Sequence, residues 1–235
     1  MNIHLTPAVK QILIACTVLF IGTLLLELRN ISLVNILGLH YPTNNLFKPW
    51  QLLTHMFMHG GPTHILFNMF GLVMFGCALE NLYGTKKFVK LYFFSGLGAI
   101  IIHFLAEAIS IYNITGTWYI NQEIFQQYAN RTNNIANLES LKQNYNSLMV
   151  GASGCLYGLS AAYAFLFPNT PMMIMFIPYP IKAKFLIPGF ILLDLFLGIS
   201  KFEWDPVAHF AHIGGAVFGF LIAWYWRKFD KKNFY

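Results

Sequence analysis

Six apolar runs, each close to the roughly 20 helical residues that cross about 30 Å of hydrocarbon, constrain this chain more than any other feature. They lie at approximately 9–28, 63–83, 88–109, 148–167, 183–200 and 206–226. In lipid every backbone N–H and C=O needs an internal partner, so the expected fold class is an all-α polytopic membrane protein, a six-transmembrane-helix bundle forming one domain over 1–235. Composition agrees: 57% of residues are hydrophobic and 10% charged, against about a quarter charged in soluble domains. The formal charge is +6, yet no dense basic run carries interleaved aromatics. Membrane lipid, and not nucleic acid, is the expected partner. The fifth run is the least regular, being interrupted by Pro188-Gly189 and containing Asp194.

The start, "MNIHLTPAVK", shows no small-residue cleavage site before the first run, which favours a retained span over a cleaved signal. Cys16, Cys77 and Cys155 each fall in an apolar stretch and read as small core residues. Between runs one and two, "NISLVNILGLHYPTNNLFKPWQLLTHMFMHGG" is too apolar for a free loop and too broken for a span, so an interfacial first external loop is expected. The polar stretch over approximately 110–147 reads as a long external loop insertion with room for a short amphipathic helix.

Basic residues set the orientation. Ten of the fifteen fall on one side of the six-span arrangement (Lys10, Lys86, Lys87, Lys90, Lys182, Lys184, Arg227, Lys228, Lys231, Lys232), which puts both termini in the cytoplasm. The expected location is multi-pass, in a bacterial plasma (inner) membrane. Runs two, four and six then all begin at the outer face, so His64 and Asn68, Ser153, and His209 and His212 share one leaflet, on the order of 10 Å below the surface.

That shared depth gives the polar residues chemical meaning. "GASGC" holds Ser153 between Gly151 and Gly154, followed by Gly158 and Ala162 at four-residue spacing. Alone the pattern describes close helix packing. A serine hydroxyl becomes a nucleophile when a base accepts its proton, and imidazole suits that exchange at neutral pH. "AHFAHIGGAVFG" offers His209 and His212 on adjoining parts of one helix face, with Gly215 and Gly219 permitting close approach to a Gly-rich neighbour. "HILFN" presents His64 and Asn68 four apart, donors able to face a developing oxyanion beside the serine's own N–H.

"HILFN", "GASG" and "AHIGG" with Gly219, in that order across six apolar runs, make the chain resemble the rhomboid intramembrane serine proteases, from about Trp50 to Trp226. The resemblance implies a six-helix rhomboid-like bundle and a serine endopeptidase acting on transmembrane protein substrates, with no cofactor and no metal. It implies Ser153 as nucleophile and His212 as base, a dyad without an acidic third member. His64, Asn68 and the Ser153 N–H would form the oxyanion hole, and Tyr157 would pack on the catalytic imidazole, with Gly151, Gly154 and Gly215 in support. Glu80 matches a structural carboxylate, and His59 a histidine of the first external loop. Where the family often has Trp-Arg, this chain has Trp50-Gln51, a change at a local anchor of that loop.

From the residues alone no acid is assigned to the base. Glu203 and Asp205 precede His212 by about two turns, with Asp205-Pro206 reading as a helix start, and Asp194 reads as a structurally paired carboxylate. A zinc protease would need a glutamate within His-Glu-x-x-His, and "HMFMH" over His55–His59 has none. A small transporter would have broken helices and polar residues, but not this clustering in one leaflet. A catalytically inactive client-binding relative would typically lack the serine or the histidine, and both are present. The resemblance also implies lateral client access beside the fifth run, whose Pro188-Gly189 break fits mobility there.

Overall fold

Helix α1 (Pro7–Glu27) opens with proline in its first turn, but Thr6 offers it no side-chain cap. Glu80 supplies one from far along the chain. The Ala8 N–H donates to Oε1 and Oε2 at 2.9 and 3.1 Å, the Val9 N–H to Oε2 at 3.0 Å, and the Thr85 hydroxyl to Oε1 at 2.7 Å. A buried carboxylate at a helix N-terminus satisfies orphaned amides and opposes the positive end of the helix dipole. Glu80 thereby joins α1 to the chain turn at Gly84.

The computed structural model describes residues 4–173, 179–200 and 207–229. After α1 come α2 (Leu33–Leu37), β1 (Leu39–His40), α3 (Gln51–Thr54) with a 3-10 turn at His55–Phe57, and α4 (Pro62–Gly71). A π-helical turn, Leu72–Gly76, joins α4 to α5 (Cys77–Tyr83), and α6 (Thr85–Thr115) follows. Then come α7 (Gln122–Ala129), α8 (Ile135–Tyr145), β2 (Leu148–Met149) and α9 (Ser153–Leu166). The chain ends in the hairpin β3 (Pro171–Met172) and β4 (Ile181–Lys182), α10 (Ala183–Ser200) and α11 (His209–Phe229). The two small sheets are antiparallel pairs, β1 with β2 and β3 with β4.

The apolar runs are helical, with different boundaries. Among the described residues, three stretches can cross a membrane by length and composition: Pro7–Glu27, Pro62–Thr115 counted through Gly84, and Ala183–Ser200. The run expected over 148–167 is helical for 14 residues only, about 21 Å. Leu148 and Met149 pair instead with His40 and Leu39, and Gly151, at φ 123, cannot join a right-handed helix. The break expected at Pro188-Gly189 does not occur, since α10 runs through Pro188. The helix start read at Asp205-Pro206, with Glu203, lies outside the described residues. Val18, Leu25, Leu192, Phe196 and Ile199 stay exposed on α1 and α10, a surface matched to lipid tails and not to water.

Glycine sets the centre of the bundle. Backbone meets backbone where α11 crosses α9: a Cβ on Gly215 would lie 1.9 Å from the Gly154 carbonyl oxygen, and one on Gly219 would lie 2.2 Å from that of Gly158. On the other side of α9, a Cβ on Gly158 would strike the Ser95 hydroxyl of α6. Small residues permit the near contact that holds helices together where no hydrophobic effect separates them from lipid. Cys16, Cys77 and Cys155 are buried free thiols in this core.

The stretch expected as an external loop is largely structured. α6 extends to Thr115, ending at Gly116 in the left-handed conformation (φ 75). α7 and α8 are capped by the Asn121 and Asn134 side chains. They fold back over a satellite cluster of Tyr41, Ile111, Ile120 and Leu141. The Asn44 amide donates to the Tyr145 carbonyl at 2.8 Å, tying this insertion to the segment before α3.

That earlier segment is held by Gln51, at the position where a missing arginine suggested a weakened anchor. Gln51 is fully buried. Its Nε2 donates to the carbonyls of Leu46 at 3.0 Å, Ile36 at 3.3 Å and Asn35 at 3.4 Å, while its Oε1 accepts from the Lys48 and His40 amides at 3.0 and 3.4 Å. The Trp50 indole adds a bond to the Ile36 carbonyl at 3.1 Å. The anchor is therefore present in amide form. Gln51→Ala leaves several buried backbone groups unpaired and is expected to cost about 2–4 kcal/mol. Thermal unfolding in detergent and limited proteolysis within 33–54 measure the loss.

Candidate active site

Ser153 is the first residue of α9, and its position follows from the turn before it. The Gly151 N–H donates to the His55 carbonyl at 2.9 Å, and its positive φ swings the chain into the helix at Ala152. Only glycine fits there, because a Cβ would strain the backbone and stand 2.7 Å from His64 Nε2. Ala152 provides no side-chain cap, and the first helical bond runs from the Leu156 N–H to the Ala152 carbonyl at 2.9 Å. The N–H groups of Ser153, Gly154 and Cys155 thus have no partner within the helix, and they gather partial positive charge beside the hydroxyl.

His212 stands one turn into α11, and its Nε2 lies 2.8 Å from Ser153 Oγ. The Tyr157 ring, one turn beyond the serine, stacks on its imidazole at 4.2 Å between centroids and 7° between planes. The structure thus brings Tyr157 and His212 together. Gly154 and Gly215 do their part through the backbone contact described above.

His64 projects from α4 toward the same corner. The Gly60 N–H donates to its Nδ1 at 3.4 Å, a contact that favours the tautomer with its proton on Nε2, the atom that faces Gly151. Asn68 is buried and donates one N–H to the His64 carbonyl at 2.9 Å. His59 packs edge-on against His64, with ring centroids 5.2 Å apart. Burial pushes the His59 and His55 imidazoles down to about 4, the neighbouring His64 adding to the effect on His59, so both are neutral at physiological pH.

Asp194 is paired, as a carboxylate inside an apolar run is expected to be, and its partners are two histidines of α11. The resemblance implied a dyad with no acidic third member, and the carboxylate on α10 read as structural pairing without a named partner. It is buried, with His212 Nδ1 3.3 Å from each of its oxygens. Its Oδ1 also makes a short contact with His209 Nδ1, and the Tyr157 hydroxyl is a further hydrogen-bonding neighbour. The detectable signal was a carboxylate in one apolar run with two histidines of another free to meet it, since buried charge demands a partner. The ligand atoms of Asp194, His209 and His212 all lie within 4.8 Å of one another, a set able to take a divalent ion. His55 and His59 do not form such a set: their Nδ1 atoms face the Gln51 and Phe57 carbonyls at 2.7 and 3.2 Å.

Comparison with known proteins places the chain in a family. The chain is 26% identical over 196 residues to RHOMBOID-like protein 6, mitochondrial, of Arabidopsis thaliana, an overlap covering 80% of this chain and 50% of that protein. It is 26% identical over 181 residues to the rhomboid protease AarA of Providencia stuartii, covering 74% and 54% respectively. Rhomboid protein 1, mitochondrial, of Saccharomyces cerevisiae matches at 24% identity over 183 residues, covering 78% and 43%. The chain thus spans about half the length of the relatives it matches. The family model described as the Rhomboid domain matches residues 46–229, from the anchored loop before α3 to the end of α11 and with every residue of the Ser153 site inside it, and the chain belongs to the rhomboid family.

Proposed function

We propose that this protein is an intramembrane serine endopeptidase that cleaves transmembrane segments of client membrane proteins. The observation that carries the reading is the 2.8 Å contact between Ser153 Oγ and His212 Nε2, in a bundle whose family relatives include a named protease. Ser153 attacks the scissile carbonyl carbon as its proton passes to His212 Nε2. The tetrahedral oxyanion is met by the Ser153 N–H, His64 Nε2–H and the Asn68 amide. Collapse expels the amine, which takes the proton from His212, and water then hydrolyses the acyl-serine ester by the same proton path in reverse.

In this reading the helical segments cross the membrane six times, with both termini cytoplasmic as the basic residues suggest. The serine then lies in the outer half of the bilayer. Water reaches it from that side, and a client approaches laterally beside α10, unwound near small, helix-destabilising residues so that its carbonyl is accessible.

The test is cleavage of a transmembrane model substrate by the detergent-purified protein, comparing wild type with Ser153→Ala, with and without a chelator. The reading expects cleavage that vanishes in Ser153→Ala and ignores the chelator. Cleavage that survives Ser153→Ala removes the serine mechanism. Cleavage abolished by chelation points instead to an ion at Asp194, His209 and His212. No cleavage of any substrate by wild type favours an inactive client-binding role.

A further inference from the structure

We propose that Asp194 is a positioning residue for the base, holding the His212 ring in the one tautomer that can accept the serine's proton. The role rests on His212 being that base. An imidazole that receives a proton at Nε2 must carry its existing proton on Nδ1, and that proton needs an acceptor. Among the described residues, the acceptor at His212 Nδ1 is the Asp194 carboxylate, 3.3 Å away through either oxygen. Contacts of this length are common before substrate binds and tighten in the reacting complex.

The surroundings fix the ring on every side that matters. Ser153 meets Nε2 at 2.8 Å, the Tyr157 ring covers one face at 4.2 Å, and Asp194 closes the Nδ1 edge. Asp194 is held in turn by His209 on α11, so one carboxylate spans two imidazoles of the same helix from a neighbouring helix. As proton transfer charges the His212 ring, the buried carboxylate is the nearest opposite charge. His209 Nδ1 meets Oδ1, one of the two oxygens that face His212, and keeps Asp194 from rotating out of reach. A simple interhelical pairing of Asp194 with His209 alone would not require the carboxylate to face His212 with both oxygens.

The two possible roles predict opposite orders for two substitutions. In a packing role the near-isosteric Asp194→Asn is milder than Asp194→Ala. In the positioning role Asn is at least as damaging, because its amide presents an N–H to Nδ1 and favours the tautomer whose proton blocks Nε2. Steady-state cleavage of the transmembrane model substrate is measured for wild type, Asp194→Asn, Asp194→Ala and Asp194→Glu, with thermal unfolding of each. The expected result is a fall in kcat of roughly 100-fold or more for Asn, with KM within about twofold, Ala no worse than Asn, and partial recovery in Glu. The proposal is overturned if kcat for Asn stays within about threefold of wild type, or if Asn retains activity that Ala loses in step with its thermal stability. Ser153→Ala in the same assay separates the two levels. If Ser153→Ala is inactive while the Asp194 variants match wild type, the positioning role alone fails; if wild type cleaves without needing Ser153, the base assignment fails and takes the positioning role with it.

Discussion

Ser153→Ala, His212→Ala and the double variant are expected to lower kcat/KM by nearly the same factor, on the order of 10⁴ or more. A hydroxyl without its base is a weak nucleophile, and a base without its hydroxyl has no proton to move. The two groups therefore contribute one effect, expressed through a single 2.8 Å contact. Independent roles would make the double variant worse by the product of the two losses. Measuring the three variants on one transmembrane substrate, with protein concentrations matched after a folding check, distinguishes these cases. A double variant about 10²-fold below either single variant would mean that Ser153 and His212 do not act as a unit. Low residual activity common to all three is expected to come from the groups that remain near the substrate, His64, Asn68 and the α9 N-terminal amides.

How much of this could be read from sequence differed from one residue to the next. Ser153 and His212 were legible as candidates because shared depth in three apolar runs places them in one leaflet, whereas Tyr157 came from the family resemblance. The geometry brings the three together. Glycines at four-residue spacing after His212 mark a helix that can approach a neighbour closely. Gly215 and Gly219 were legible as packing residues for the same reason, although sequence spacing did not identify Gly154 and Gly158 as their individual partners.

Other features were hidden because they depend on contacts between distant segments. Asp194 could be recognised as a carboxylate needing a partner, but nothing in its own run says that α10 turns that face toward His209 and His212. Gln51 looked like a departure from the family at an anchor, yet five backbone groups converge on its side chain and an amide satisfies both donors and acceptors among them. The short length of α9 was missed because Leu148 and Met149 are apolar enough to continue a helix; pairing with Leu39 and His40 and the φ of Gly151 decide otherwise. Helix propensity in the 110–147 stretch was weak, and asparagine caps with a satellite apolar cluster supply what propensity lacks.

Gly215→Ala is expected to reduce cleavage about 10²-fold or more while the protein still folds. Its Cβ would stand 1.9 Å from the Gly154 carbonyl oxygen. That obstacle is backbone, so no side chain can swing away, and ordinary contact requires α9 and α11 to separate by more than about 1 Å. Gly154 adjoins the serine and Gly215 lies three residues after His212, so the separation falls at the reacting pair. A 2.8 Å hydrogen bond stretched by that amount is no longer a path for a proton. Gly219→Ala meets the Gly158 oxygen at 2.2 Å, one turn further from the serine, and is expected to lose thermal stability more than turnover. Gly22→Ala on α1 is the matched control, since its added Cβ meets only Leu33 Cδ2 at 3.9 Å, an ordinary contact, and it should stay within about twofold of wild type. If Gly215→Ala keeps activity within about threefold of Gly22→Ala, the α9–α11 backbone contact is not what sets the Ser153–His212 distance. If all three glycine variants lose activity equally, the loss reflects general helix packing instead of the register of the catalytic pair.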